Sequence, residues 1–378
     1  MEESGMSDKP VLFEERECSD GHRIGVITLN VEKSLNALKL SMIESMYSVM
    51  QEWRLDDKIV AVFMQGAGDK AFCAGGDIVQ MYESICEANN GPPAYAEEFF
   101  TREYRLDYLI HVYPKPVVCW GNGIVMGGGL GLMAGASHRI VTETSRIAMP
   151  EVTIGLFPDV GGTWFLNRMP DGAGLYLGLT GAACNAADAL ELGWADGFLP
   201  HAQKEAFLQA LTRTSWSSPE SNHTRVTQLL RSWNEQHQSQ RPGGQVAQHR
   251  AMIKQVTQGK SLTQVVGAIL DYPTVDEWVG KAQKSLRNGC PTTAHLVWRQ
   301  IREGGGLSLP DVFKRELIMA VQCAMHPEFR EGVRALLIDK DFKPQWRYPS
   351  FADVPEAWVD EFFSSPWDIS PLHDLAVL

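Results

Sequence analysis

Two carboxylates within one apolar segment are the residues best suited to chemistry in this chain. Glu151 and Asp159 stand eight positions apart in Met-Pro-Glu-Val-Thr-Ile-Gly-Leu-Phe-Pro-Asp-Val-Gly-Gly, residues 149–162. A carboxylate is costly to bury unless it is paired or used. The segment therefore indicates a reacting carboxylate, although acids near glycine also brace ordinary turns, and that interpretation stays open for both residues.

Two glycine-rich elements could stabilise the negative charge that such a carboxylate would generate. Residues 75–77, Gly-Gly-Asp, precede a predicted helix over 78–86, and residues 127–129, Gly-Gly-Gly, lie in a strand-to-helix transition over 123–132. Free N–H groups at a helix start can hold an oxygen that becomes an oxyanion. A tight turn capped by Asp77, or close helix packing, would require the same glycines. The spacing is not that of a dinucleotide-binding loop.

Alternating strands and helices must position these groups. Apolar patterning predicts strands over 11–15, 22–30, 58–65, 116–120 and 138–142, and a helix over 38–53. This alternation predicts a layered α/β fold. Helical patterning over 275–286, 293–303 and 311–325 predicts a mainly helical last third.

A change in composition suggests how the chain is divided. Between 202 and 257 it becomes rich in Gln, Ser, His and Arg, and 236–245 is the segment least suited to folding. We therefore expect a core over 11–200, a polar helical insertion or linker over 201–260, and a helical C-terminal region over 261–378.

Composition excludes several classes of partner. The net charge of −12 and the lack of a basic run disfavour nucleic acid, and no apolar stretch reaches the ~18 residues of a membrane span. Seven cysteines without Cys-x-x-Cys spacing disfavour both a disulfide framework and a zinc site. Residues 1–8 are acidic and polar, unlike a secretory or mitochondrial leader, so we expect cytoplasmic residence.

Other catalytic designs find little support. The histidines lack the spacing of a metal site, so no metal is predicted. Ser41 and Ser145 lack the Gly-x-Ser-x-Gly setting of a serine hydrolase.

Taken together, the motifs resemble the crotonase superfamily, which includes the enoyl-CoA hydratases and isomerases. The resemblance covers residues 11–200 and rests on both glycine elements, on 149–162, and on Leu-Thr-Gly at 179–181 followed by Ala-Leu-Glu-Leu-Gly-Trp-Ala-Asp at 189–196. The C-terminal segment 328–341, with Pro344 and Trp346, resembles the signature of the 3-hydroxyisobutyryl-CoA hydrolase branch. This second match is the more specific of the two.

The resemblance implies a crotonase-like spiral of ββα units and a thioester site. It assigns the oxyanion hole to the N–H groups of Gly76 and Gly128. Hydratases of the superfamily use two glutamates, but Gly131 stands at the first of those positions. Glu151 remains as nucleophile or base, assisted by Asp159. Substrate contacts are assigned to Glu103, which matches an acid that would bind the 3-hydroxyl group, and to Gly75, Asp77 and Gly127.

The sequence therefore predicts a hydrolase acting on 3-hydroxyisobutyryl-CoA, or on a close short 3-hydroxyacyl-CoA, as in valine breakdown. Coenzyme A would be part of the substrate, and no separate cofactor is expected. Two alternatives remain: a hydratase or isomerase that uses Glu151, and a catalytically silent acyl-CoA-binding protein. A homo-oligomer is possible. Arg330 and Arg334 could pair with acids of the C-terminal signature and give that signature a purely structural role.

Overall fold

The fold was described from a computed structural model, which covers residues 9–88 and 91–377. The expectation for residues 1–8 falls outside that range. Within the described residues, no helix combines the length and apolar character needed to cross a bilayer.

The residues that the structure describes form nine strands, and the predicted ones lie within one or two residues of their expected bounds. In chain order they are β1 Val11–Glu17, β2 Arg23–Leu29, β3 Ile59–Gly66, β4 Ala71–Cys73, β5 Val117–Gly121, β6 Ile124–Met126, β7 His138–Val141, β8 Arg146–Ala148 and β9 Gly197–Phe198.

Sixteen α-helices lie within the described residues. They are α1 Leu40–Leu55, α2 Ile78–Glu87, α3 Ala94–His111, α4 Gly128–Gly135, α5 Gly162–Leu166, α6 Ala173–Thr180, α7 Ala186–Glu191, α8 Lys204–Thr212, α9 Pro219–His237, α10 Gln245–Val256, α11 Leu262–Leu270, α12 Glu277–Asn288, α13 Pro291–Gly304, α14 Leu309–Met325, α15 Pro327–Val333 and α16 Glu356–Glu361.

The chain forms two compact units, each built from separate stretches. The first contains residues 1–76, 106–147 and 184–244, and the second contains residues 77–105, 148–183 and 245–378. The stretches of the two units alternate along the chain. The sequence predicts instead three consecutive regions that meet near residues 200 and 260, and that division stays a prediction.

The first unit is organised around a six-stranded sheet. The strand order is β1-β2-β3-β5-β7-β9, with β1 antiparallel to β2 and the remaining neighbours parallel. A second sheet has the order β4-β6-β8. Phe63 and Trp120 belong to an apolar core with Phe207 of α8. Inner strands of a parallel sheet are covered on both faces, which explains the nearly continuous apolar run of β3.

The second unit is mainly helical, as the sequence predicted for the C-terminal third. Two of its helices start at side-chain caps: Asp276 accepts the N–H of Val279, and Ser308 accepts that of Asp311. The first of these caps explains why α12 begins two residues later than expected, leaving Val275 outside the helix and fully exposed. Residues 236–245 contain the end of α9, a short 3-10 turn and the start of α10.

Candidate active site

In the first unit the two glycine elements lie against each other. Gly75 has φ of 108° and Gly127 has φ of 48° with ψ of −126°, conformations that L-residues rarely adopt. A Cβ atom on Gly75 would lie 3.3 Å from the carbonyl oxygen of Met126 and 3.8 Å from the amide nitrogen of Gly128. The structure therefore brings the segments of both predicted oxyanion donors together.

The amide N–H of Gly128 lies where it can donate a hydrogen bond to a ligand. Gly128 is the first residue of α4, so its N–H group has no acceptor within the helix. Gly131 is buried in the same helix. Asp77 precedes α2 as its N-cap residue, yet its side chain makes no capping hydrogen bond.

The backbone strain at Gly75 leads to a first prediction. Gly75→Ala is expected to lose about 1–2 kcal/mol of stability from the left-handed backbone and to lose thioester hydrolysis, because the crowding displaces the amide of Gly76. Gly193→Ala is a matched control, since Gly193 has φ of 77° but open space around its Cβ position. Chemical denaturation and coenzyme A release should show similar instability in both variants and inactivity only in Gly75→Ala. Full activity of Gly75→Ala would contradict this assignment.

In the second unit the three predicted acids form one buried cluster. Glu151 opens a short 3-10 helix after Pro150, Asp159 precedes α5, and Glu103 lies on α3. The three residues are 5%, 4% and 2% exposed, respectively. The structure therefore brings the three acids together and away from solvent.

Two carboxylate oxygens of this cluster lack a hydrogen-bond partner in the part of the chain that the structure describes. Among the described residues, nothing donates a hydrogen bond to Oε1 of Glu103 or Oε2 of Glu151, and both atoms are buried. Asp159 differs, because its Oδ2 accepts the hydroxyl of Tyr104 at 2.6 Å. A buried carboxylate oxygen without a partner carries a high desolvation cost, which a bound ligand can relieve.

Burial and mutual repulsion shift the titration of these acids. Burial raises the pKa of Glu151 well above its usual range, and the nearby charge of Asp159 adds to the shift. The pKa of Glu103 is raised well above its usual range by burial and by the charges of Asp159 and Glu151. Burial also raises the pKa of Asp159, but the Tyr104 hydroxyl opposes this and the value is about 6.

The buried acids predict how thermal stability depends on pH. Because their pKa values are raised on folding, unfolded protein releases these protons at lower pH, and the free energy of unfolding falls as pH rises from about 5. Glu103→Gln removes one such group, so its melting temperature should exceed that of the wild type by several degrees at pH 8 and by little at pH 5. Calorimetry at both pH values measures this, with the exposed Glu44→Gln as control. Equal melting temperatures at pH 8 would disprove it.

Three further residues of the cluster were not predicted from the sequence. They are Tyr104 on α3, Gln300 on α13 and Glu316 on α14, and all three are 0% exposed. Tyr104 directly follows Glu103 in an aromatic run, and Glu316 is an acid on the apolar face of a predicted amphipathic helix. A polar residue at a core position of a helical pattern was the available signal.

The C-terminal signature contains an ion-pair cluster around Arg334. Its guanidinium lies 2.7 Å from Glu331, 2.5 Å from Asp339 and 2.8 Å from Asp341. Glu331 also accepts the backbone N–H of Gln345 at 2.6 Å. These contacts confirm the expected pairing of Arg334 with acids of the signature. The ion pairs fix the path of the chain after α15.

Comparison with known proteins identifies the class. The family model described as enoyl-CoA hydratase/isomerase matches residues 24–363, and the chain belongs to this family. Two solved structures agree: a carnitinyl-CoA dehydratase from Mycobacterium thermoresistibile (TM-score 0.84, 32% identity, covering 97% of this chain and 99% of that one) and an enoyl-CoA hydratase from Rhodobacter sphaeroides (TM-score 0.80, 30% identity, 94% and 98%). They confirm the predicted crotonase-like α/β fold.

Within the family, the chain is similar to mitochondrial 3-hydroxyisobutyryl-CoA hydrolases. It is 38% identical to that of Danio rerio, covering 96% of this chain and 91% of the relative. For the Homo sapiens protein the identity is 33%, with 94% and 88% covered. This similarity extends through the C-terminal signature and confirms the branch indicated by the sequence.

The expectation of cytoplasmic residence was wrong. The similar hydrolases of Danio rerio, Xenopus tropicalis and Homo sapiens are named as mitochondrial proteins, which contradicts this expectation. The expectation depended on the polar character of residues 1–8. The first residues of a given sequence are a poor guide to compartment, because a targeting segment need not be among them.

Proposed function

We propose that this protein hydrolyses 3-hydroxyisobutyryl-CoA, or a close short 3-hydroxyacyl-CoA, to the free acid and coenzyme A. The observation that supports this most strongly is the buried cluster of Glu103, Glu151 and Asp159, with its two unpartnered oxygens. The similarity to hydrolases named for this substrate points the same way. A role in valine breakdown would follow from that substrate.

In this proposal Glu151 attacks the thioester carbon, and the amides of Gly76 and Gly128 stabilise the resulting oxyanion. The carbon–sulfur bond then breaks, the thiolate of coenzyme A leaves and takes a proton, and water opens the mixed anhydride. Burial and the charge of Asp159 raise the pKa of Glu151, so the attacking carboxylate form becomes more populated as pH rises. The same carboxylate could instead remove a proton from water, and Asp159 would orient it in either route.

Glu103 is proposed to recognise the 3-hydroxyl of the acyl group. Its Oε1 is buried without a partner among the described residues. The hydroxyl of the substrate would donate the hydrogen bond that this oxygen lacks. An acyl chain lacking the hydroxyl would leave that oxygen unpaired, and the site would reject it.

Hydration of an enoyl-CoA is the competing function, because the chain is also similar to a solved enoyl-CoA hydratase. Gly131 argues against it, because a glycine cannot supply the second acid that hydration uses in this family. Glu103 and Asp159 still provide acids, so the alternative requires a direct assay.

The deciding experiment compares 3-hydroxyisobutyryl-CoA with crotonyl-CoA. Thiol titration measures released coenzyme A, and ultraviolet absorbance follows loss of the crotonyl double bond. The proposal expects thiol release from the hydroxyacyl ester and stable crotonyl absorbance. Loss of that absorbance without thiol release would show a hydratase, and acyl-CoA binding without either reaction would show a silent binding protein.

A further inference from the structure

Glu316 is a buried carboxylate near Asp159 that has no role in the chemistry proposed above. It lies in the middle of α14 and is 0% exposed. Burial raises its pKa to about 8, while two backbone N–H groups oppose that shift. A buried acid is expensive, and an apolar residue at this helix position would pack without that cost. The presence of a buried acid at position 316 therefore requires an explanation.

Both oxygens of Glu316 bind the backbone of the loop that carries Asp159. Its Oε2 accepts the N–H of Gly161 at 2.7 Å, and its Oε1 accepts the N–H of Thr163 at 2.8 Å. Gln300 reaches the same loop from α13, donating to the carbonyl oxygen of Pro158 at 2.6 Å and to the hydroxyl of Thr163 at 2.8 Å. The chain is thus held immediately before and after Asp159.

The loop needs this restraint because it contains a strained residue. Val160, directly after Asp159, has φ of 52°, and Gly161 has φ of 90°. A β-branched residue with positive φ is rare and persists only where its surroundings impose it. The turn directs Asp159 toward Tyr104, whose hydroxyl donates to its Oδ2 at 2.6 Å. The carbonyl oxygen of Gly161 accepts the N–H groups of Trp164 and Phe165 at the start of α5, and its own N–H group is held by Glu316.

We propose that Glu316 is a positioning residue for the reaction, acting through Asp159. It clamps the strained turn so that the Asp159 carboxylate stays on the Tyr104 hydroxyl and beside Glu151. Gln300 completes the clamp on the Pro158 side. The inference rests on the proposed hydrolase function, in which Asp159 orients Glu151.

Glu316→Gln tests the clamp with little change in volume. The amide oxygen can accept one of the two N–H groups, but its NH₂ group faces the other, which loses its partner. We expect kcat for 3-hydroxyisobutyryl-CoA, per folded molecule, to fall by about 10–100-fold with KM changed less than about threefold, since a small misplacement slows the reaction more than it weakens binding. Glu316→Asp keeps both acceptors and should recover part of the loss.

A double-mutant cycle separates positioning from general stability. If Glu316 acts through Asp159, then Glu316→Gln should change kcat little when Asp159 is already Asn. Asn222→Ala is the stability control, because Asn222 is a buried side chain that binds the backbone of Ser217 in the first unit. It should lower the melting temperature without lowering kcat.

Each outcome decides one point. Additive effects in the cycle, or a Glu316→Gln protein with wild-type kcat, would overturn the positioning role while leaving the hydrolase function intact. A wild-type protein that releases no coenzyme A from the hydroxyacyl ester would refute the proposed function first, and with it this inference.

Discussion

Glu151→Gln is expected to reduce coenzyme A release from 3-hydroxyisobutyryl-CoA by at least about 10³-fold. The amide is neutral and has almost the same volume, so it can fill the buried site of Glu151 while losing the ability to attack the thioester or accept a proton. The remaining rate would come from substrate binding and from the amides of the glycine elements. Steady-state thiol titration, with melting temperature as a check on folding, measures the loss.

The exposed Glu44→Gln is the matched control for this change, and it should keep full activity. Retention of more than about a tenth of the wild-type rate by Glu151→Gln would remove Glu151 from the chemical step. Rapid quenching followed by intact-protein mass spectrometry distinguishes the two routes in the wild type. An acyl adduct on the peptide that carries Glu151 would show direct attack.

The second large effect concerns the 3-hydroxyl group. We expect kcat/KM for 3-hydroxyisobutyryl-CoA to exceed that for isobutyryl-CoA by about 10³-fold or more, because the deoxy analogue leaves the buried Oε1 of Glu103 unpaired. Glu103→Met removes the polar atom and keeps an apolar side chain of similar size. The ratio between the two esters should then fall to about tenfold or below.

Comparing the two esters separates loss of folding from loss of the Glu103 contact. A general loss of folding would lower activity on both esters, whereas loss of the Glu103 contact lowers mainly the activity on the hydroxyacyl ester. A Glu103→Met protein that keeps the wild-type ratio would show that the hydroxyl is recognised elsewhere.

Much of the fold was predictable because its signals are local. The continuous apolar run of β3 and the spacing of apolar residues in α14 specify their elements without reference to distant parts of the chain. Caps set the boundaries, and the one at Asp276 moved a helix start that apolar spacing alone had placed two residues early.

The polar partners of the site were not predictable in this way. Tyr104 and Asp159 are 55 positions apart, and Gly161 and Glu316 are 155 apart. No periodicity connects residues at such distances, and only the packed helices bring them together. Glu103 was identified by its resemblance to a family position, whereas Glu316 and Gln300 had no such match.

The alternation of stretches in the second unit has a consequence for biosynthesis. Glu103, the pair Glu151 and Asp159, and Glu316 belong to three separate stretches of that unit. At a translation rate of ~5–20 residues per second, the ribosome needs roughly 8–30 s to proceed from Gly161 to Glu316, which are 155 positions apart. During that interval the nascent chain carries its acids without the helix that anchors their loop. The buried cluster is therefore complete only late in translation, after α14 has been synthesised.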